Sequence, residues 1–330
     1  MIKTNAAPSL SLVITSYSIR FLGRITRLLE SVVNQNYRDF ELVYVVEGDL
    51  RLLEFVQTRL SNCSLGSYKV IYANQGIGGS ASRNLGIRNS SGELIAFVDD
   101  DAILFPDWAE QVIATLTSSY KFIGIVGRVL PYWEDPKMQW LPAKFHWLVS
   151  CSTWYDYPDF TPISGHGWGS NLILRRAAFA NGVTFSEAIG PKGGAPRWRV
   201  GIITEDLELV IRIRKNNDLP LIYNGRVAVW KTVEKERLSP RELTDTVLRV
   251  GMARAVTRRV IAAPDSHGSL RSELKLIRQI VNPKDSVLGY LQFGNDYGSL
   301  IRMLVLPPKV FGLFAFGFLF GLIASVGLNQ

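Results

Sequence analysis

Over its first hundred residues this chain alternates short apolar runs with segments of helical period, and that order constrains the fold more than any other feature. Leu10–Thr15, Glu41–Val46, Lys69–Ala73 and the run ending at Val98 are rich in Val, Ile and Leu, as expected of strands buried on both faces. Between them, Phe21–Asn34 sets Leu22, Ile25, Leu28, Leu29 and Val32 on one helical face, and further helices are expected through Leu50–Leu60 and Ser80–Asn89. A βαβα order predicts an α/β fold with a mainly parallel sheet flanked by helices. Ligands of such sheets bind outside the carboxyl ends of the strands. Three of those ends are polar: Ser16-Tyr17, Glu47-Gly48-Asp49 and Asp99-Asp100-Asp101.

The last of these ends carries the chemistry. Three adjacent carboxylates repel one another and need a compensating cation or hydrogen-bond donors. Carboxylate oxygens suit hard divalent ions such as Mg²⁺ or Mn²⁺, which also bind phosphates. A strand ending in Asp-x-Asp therefore points to a metal-bound diphosphate; the alternative is a solvated acidic loop.

Beyond residue 130 the pattern is less regular. Pro131–Gly169 is rich in tryptophan (Trp133, Trp140, Trp147, Trp154, Trp168), either a binding wall or the core of an insert. Gly169–Arg176 reads as a strand, Gly190–Gly194 as a Gly-rich loop, and a helix is expected from about Thr204. A strand at Leu221–Tyr223 with Val227 and Val229, then a long helix over Pro240–Ala262, complete the pattern.

Hydrophobic residues make up 47% of the 330 and charged residues 20%, a globular composition. Part of the net charge of +8 lies between Lys231 and Arg302, where 13 Lys and Arg face 8 Asp and Glu. No zinc-finger spacing or aromatic-interleaved basic helix accompanies this excess, so nucleic acid is not the expected partner; an anionic membrane surface fits better. From Val310 to Leu328 there are 19 residues without a charge, about the length that crosses a hydrocarbon core, with Arg302 and Lys309 on the N-terminal flank. These features predict a cell-membrane protein whose main domain is cytoplasmic, the last segment being transmembrane or membrane-embedded. Cys63 and Cys151 have no metal-ligand spacing and are expected to be reduced, and Met1–Ser11 lacks the apolar core of a signal peptide.

Taken together, these segments resemble the family-2 inverting glycosyltransferases of GT-A fold. Val13-Ile14-Thr15-Ser16-Tyr17 is similar to that family's first strand and nucleotide-contacting loop, and Phe40–Asp49 to its second strand. Asn74–Gly86 resembles its Gly-rich loop and Arg-Asn helix start, Phe97–Asp101 its metal-binding strand, and Ile203–Leu209 its Glu-Asp acceptor motif, with Arg212 one turn later. The resemblance covers about residues 9 to 255.

The resemblance implies a nucleotide-sugar donor, held by Thr15, Tyr17, Glu47, Arg83, Asp99 and Asp100, with Tyr17 stacking on the base, Glu47 accepting from its ring N–H and Arg83 at the phosphates. It places Mg²⁺ or Mn²⁺ on Asp101 and Asp99. Asp206 would be the catalytic base, with Glu205, Asn171 and Trp168 at the acceptor. From the residues alone, the alternatives are that Tyr17 and Glu47 are ordinary strand-end residues, Arg83 a surface arginine and Asp206 a helix cap. Asp100 is expected to tolerate change best of the three aspartates.

Two departures stand out. The second strand ends Glu-Gly-Asp where the family more often has Asp-Asp-Gly. Lys231 falls where the family often carries a histidine that can reach the metal, and a charged ammonium cannot ligate, although it can contact phosphate. The Gln-x-x-Arg-Trp run of processive synthases is missing, so one-sugar transfer is expected. The expected organisation is a GT-A catalytic domain over residues 1–262 (about 9–130 for the nucleotide sugar, 131–262 for the acceptor), a basic juxtamembrane segment at 263–306 and a membrane helix at 307–330. The acceptor is expected to be lipid-linked (polyprenyl phosphate or a lipid-linked glycan) or another glycan; homo-oligomer formation is left open. A catalytically silent nucleotide-sugar-binding scaffold is the alternative from another class. A nucleotidyltransferase would need a Gly-rich N-terminal loop that Leu12–Arg20 lacks.

Overall fold

Strand β1 (Leu10–Ser16) is buried on both faces over nearly its whole length, which only a central strand allows. It pairs in parallel with β2 (Phe40–Glu47) on one side and with β4 (Leu94–Asp99) on the other, and β3 (Ser67–Ala73) adds in parallel beyond β2. The computed structural model describes residues 9–118, 121–154, 157–163, 169–187, 205–260 and 308–319. Trp168, the Gly190–Gly194 loop, the 263–306 segment, and residues 307 and 320–330 of the last segment lie outside the described residues.

The helices between these strands follow the apolar spacing. Helix α1 (Leu22–Val33) buries Ile25, Leu28, Leu29 and Val32, and α2 (Leu50–Ser61) buries Leu52, Val56 and Leu60. Asp49 caps α2 by accepting from Arg51 N and Leu52 N, and its other oxygen accepts from Ile19 N at 2.8 Å. Helix α3 (Gly79–Asn89) buries small side chains instead, because it lies close to β1: a Cβ on Gly86 would fall 2.3 Å from Val13.

The expectation of a mainly parallel sheet needs correction. Among the described residues, β5 (Ala102–Leu104), β6 (Gly124–Trp133), β7 (Thr161–Ile163), β8 (Leu172–Arg175) and β9 (Leu221–Val233) extend the sheet beyond β4 in the order β3-β2-β1-β4-β8-β6-β9-β5, with β7 on β9. The pairs β4–β8, β8–β6, β9–β5 and β9–β7 are antiparallel. Strands β5 and β7 have three residues each, and the ten-residue β6 shows no strict alternation in the sequence. The strand expected over Gly169–Arg176 is a 3₁₀ turn at Gly169–Asn171 followed by β8 (Leu172–Arg175). Strand β9 (Leu221–Val233) is one 13-residue element. Helices α4 (Trp108–Ser118), α5 (Glu205–Lys215) and α6 (Pro240–Val260) complete the order.

Two compact units emerge: Met1–Val129 with Tyr157–Ala195 and Glu205–Lys231, and Leu130–Asp156 with Pro196–Thr204 and Thr232–Gln330. In the first, Val13, Val43, Ile95, Phe97, Leu172 and Val210 belong to one core. A buried polar tie crosses its sheet, where Glu41 accepts from Ser11 Oγ (2.6 Å), Ser91 N (2.8 Å) and Ser91 Oγ (3.0 Å) and pairs with Lys69 at 2.6 Å. Burial alone would raise the Glu41 pKa, but those donors hold it at about 2.

In the second unit Trp140, Trp147, Trp154 and Phe145 are buried, so these aromatics form the core of an insert rather than an open wall. His146 is pushed down to about 4 by burial. The helix at 308–319 crosses α6 closely through two glycines: a Cβ on Gly251 would lie 2.5 Å from Phe314 O, and one on Gly317 2.5 Å from Leu248 O. Val310 and Phe314 are buried, whereas Phe311, Phe316 and Leu319 are exposed. Among the described residues no helix is long and apolar enough to cross a membrane.

Candidate active site

The sheet registers bring distant residues to the end of β4. Phe97 pairs with Leu172 on the antiparallel β8, and continuing that register sets Ser170 opposite Asp99. Ser170 Oγ donates to Asp99 Oδ2 at 2.5 Å. Strand β5 begins directly after Asp101 and pairs Ala102 with Lys231 of β9, which delivers the lysine to the aspartates. Lys231 Nζ is 2.6 Å from Asp101 Oδ1, 3.0 Å from Asp99 Oδ2 and 3.2 Å from Ser170 Oγ.

Arg83, at the start of the second turn of α3, is the second cation of the site. It donates to Asp99 Oδ1 at 3.1 Å and to Glu205 Oε1 at 2.8 Å, and lies 4.0 Å from Asp206 Oδ1. A third cation, Arg24, donates to Asp100 Oδ1 at 3.0 Å. Each of the three aspartates thus has a basic partner within 3.1 Å.

These contacts set the charges unequally. Burial would raise Asp99, but Lys231, Arg83 and the Ser170 hydroxyl hold it well below the ordinary carboxylate range. Asp100 goes the other way, up to about 6, because burial outweighs Arg24 and the neighbouring Asp101 and Asp99 add repulsion. Asp206 is raised to about 7 by burial, with Glu205 and Asp99 adding to the rise and Arg83 and the Gly169 N–H opposing it. Lys231 and Arg83 are held protonated by the carboxylates around them, against the opposing effect of burial.

Asp206 sits at the start of α5, where Gly169 N donates to its Oδ2 at 3.0 Å. Its Oδ1 is buried and takes no hydrogen bond among the described residues. Gly169 permits this approach, since a Cβ there would meet both carboxylate oxygens at 2.5 Å.

Thr15 pairs in register with Asp99, and Tyr17 is 56% exposed just past β1, its ring edge-on to Phe21 at 5.5 Å. Glu47 closes the Gly-rich loop, accepting from Gly76 N (3.0 Å), Gly78 N (3.2 Å) and Ser82 Oγ (3.1 Å). Asn171 is a correction: it is fully buried, and its amide binds Trp108 Nε1, Arg128 O and Val227 O, so it braces the core and cannot meet an acceptor. Asp100 also differs from expectation, being the most buried of the three aspartates and tied to Arg24, with the least room for change. Arg212 chelates Glu208 and donates to Thr184 O.

Sequence reasoning missed Arg24. Its signal is only a position in the first turn of α1, with nothing to show that this end of the helix meets Asp100. Ser170 lies inside the expected Gly169–Arg176 strand, and its bond to Asp99 follows only from the antiparallel register.

The donor set as it stands does not receive a divalent ion: the two aspartates that the resemblance gives to it are bridged by an ammonium, and the second oxygen of Asp99 is taken by Arg83.

Comparison with known proteins agrees with this geometry. The profile of glycosyl transferase family 2 matches residues 11–182, more than half of the chain, and the chain belongs to that family. It is therefore a glycosyltransferase. It is 28% identical over 219 residues to the glucosyl-dolichyl phosphate glucuronosyltransferase of Haloferax volcanii, covering 66% of this chain and 67% of that protein. Of four further curated relatives it spans between 11% and 46% of their length.

Among solved structures, the mannosyltransferase PcManGT from Pyrobaculum calidifontis in complex with GDP-Man and Mn²⁺ superposes with a TM-score of 0.62 at 14% identity, over 99% of this chain and 89% of that one. S. aureus TarS 1-349 in complex with UDP-GlcNAc gives 0.50 at 13% identity, over 98% and 92%. These likenesses establish the GT-A-like α/β fold with its curled mixed sheet.

Proposed function

We propose that the protein transfers one sugar, with inversion, from a nucleotide sugar to a lipid-linked acceptor at the cytoplasmic face of a cell membrane. Asp206 carries the reading. A carboxyl whose buried oxygen takes no hydrogen bond among the described residues, and whose pKa is raised to about 7, is suited to take a proton at neutral pH. The acceptor oxygen bonds to the anomeric carbon while the bond from that carbon to the diphosphate oxygen breaks. The nucleoside diphosphate leaves with the bonding pair, and the acceptor's proton passes to Asp206.

The donor's base would lie by Tyr17, Thr15 and Glu47 at the ends of β1 and β2, and its diphosphate by Arg83 and the Asp99–Asp101 rim. Glu205 and Trp168 would serve the acceptor. Stabilising the leaving diphosphate is the task that the family resemblance gives to Mg²⁺ or Mn²⁺.

A lipid-linked acceptor is supported by the name of the Haloferax relative, a glucosyl-dolichyl phosphate glucuronosyltransferase. Membrane contact is supported by the charge-free run from Val310 to Leu328 and by Phe311, Phe316 and Leu319, which are exposed along the helix at 308–319.

The test uses full-length protein in detergent with UDP-, GDP-, CDP- and dTDP-sugars, against polyprenyl phosphate and glucosyl polyprenyl phosphate. Transfer by the wild type, with at least a hundredfold loss in Asp206→Asn and unchanged nucleotide affinity, is expected. No transfer or hydrolysis of any donor, or full activity in Asp206→Asn, overturns the reading.

A further inference from the structure

The sequence called for a cation because three adjacent carboxylates repel one another. In the fold that requirement is met by side chains: Arg24 on Asp100, Arg83 on Asp99 and Lys231 on Asp101, one cation for each carboxylate. The aspartate cluster is therefore balanced with no added ion.

We infer that Lys231 is the cation of the diphosphate site, performing with its ammonium the electrostatic work that a divalent ion performs in metal-dependent relatives, so that donor binding and transfer proceed without a metal. The inference rests on the nucleotide-sugar reading above and adds to it the identity of the phosphate-binding cation.

Four observations carry it. The ammonium has three N–H donors and three oxygens around it, from Asp101, Asp99 and Ser170, so its geometry is fully defined. Its position is built in: Lys231 is 7% exposed and held in β9 by pairing with Ala102, next to Asp101. It occupies the bridge between the two carboxylates that would otherwise receive a metal, and a divalent ion could take that bridge only by expelling a like charge. Finally, the other oxygen of Asp99 is taken by Arg83 at 3.1 Å, so neither oxygen of that carboxylate is left open to an ion.

A lysine is also suited to the reaction. Its compact charge on a flexible stem can turn from Asp101 to a non-bridging phosphate oxygen while Asp99 and Ser170 still hold it. Charge grows on the diphosphate as the anomeric C–O bond breaks, and a fixed positive charge there favours the transition state over the ground state. Lys231 stays protonated throughout; the acceptor's proton goes to Asp206.

The experiment measures binding of UDP, GDP, CDP and dTDP to the full chain in detergent, once in EDTA and once in MnCl₂, by calorimetry and thermal shift. The wild type is expected to bind its preferred nucleotide with dissociation constants that agree within about threefold in the two conditions, and to transfer sugar in EDTA. Lys231→His should lose at least tenfold in affinity in EDTA and recover it with Mn²⁺, because an imidazole with Asp99 and Asp101 makes a metal site. Lys231→Met should lose the same affinity and not recover it. Wild-type binding that tightens tenfold or more with Mn²⁺, or transfer abolished by EDTA, overturns the inference and leaves the glycosyltransferase reading standing. Binding of no nucleotide in either condition overturns both. Should the variants fail to fold, the two wild-type measurements alone decide.

Discussion

The Arg83 guanidinium stands 4.0 Å from Asp206 Oδ1, near enough to lower that carboxyl's pKa and too far to hydrogen-bond it. The same side chain is bonded to Asp99 and Glu205, so one arginine links the donor side of the site to the base. Asp206 must be deprotonated to act, and its pKa is raised to about 7. The rate should therefore rise with pH through about 7 and level off above it. Arg83→Met removes a lowering influence and should move that limb to higher pH, besides reducing the rate roughly 10²-fold or more. Glu205→Gln removes a raising influence and should move the limb down. Profiles of kcat/KM against pH for the three proteins check both directions; a common limb would sink the coupling.

Gly169 allows Asp206 to reach its place. A methyl group at residue 169 would meet both carboxylate oxygens at 2.5 Å, against an ordinary contact well above 3 Å. Gly169→Ala should displace Asp206 and lower kcat about tenfold to a hundredfold, as expected for an ångström-scale misplacement, with nucleotide affinity unchanged. A kcat equal to that of the wild type would show that Asp206 is not held by this contact.

Glu41 makes the fold sensitive to acid. Its folded pKa of about 2 lies below the ordinary 4.5, so its contribution is present above about pH 4.5 and is lost as the pH falls towards 2. Glu41→Gln should cost about 1–3 kcal/mol at pH 7. The gap between variant and wild type in urea unfolding should close as the pH is lowered to 3 and below. A gap independent of pH would mean that the carboxylate charge is not the stabilising element.

The parallel half of the sheet was legible because buried parallel strands and amphipathic helices each carry their own period: Val13, Val43 and Phe97 lie in continuous apolar runs, and Ile25, Leu28, Leu29 and Val32 recur at helical spacing. The antiparallel half was legible only in part: β8 and β9 show as apolar runs, whereas β5, β6 and β7 do not. Strand β5 has three residues, too few to display any period, yet its pairing with β9 delivers Lys231 to the aspartates. Asp99, Asp101 and Asp206 could be picked out as chemistry-bearing from motif order alone. Asn171 could not be told from a ligand-facing amide, since its place in the core depends on Trp108, 63 residues earlier. Lys231 was visible as a departure from the family, and only the structure gave its partners.

The crossing of α6 with the helix at 308–319 depends on two hydrogens in place of side chains. Gly251 lies against Phe314 and Gly317 against Leu248, each with backbone about 2.5 Å from where a Cβ would be. Backbone atoms cannot swing aside as a side-chain end can, so a larger residue must push the helices apart. Gly317→Val should destabilise this unit by about 1–3 kcal/mol through overpacking. It should lower the melting temperature in detergent by roughly 2–10 °C. Gly312, with nothing within 4 Å of its Cβ position, is the matched control, and Gly312→Ala should melt with the wild type. Equal melting of the Gly317→Val and Gly312→Ala proteins would mean that the close crossing contributes nothing to stability.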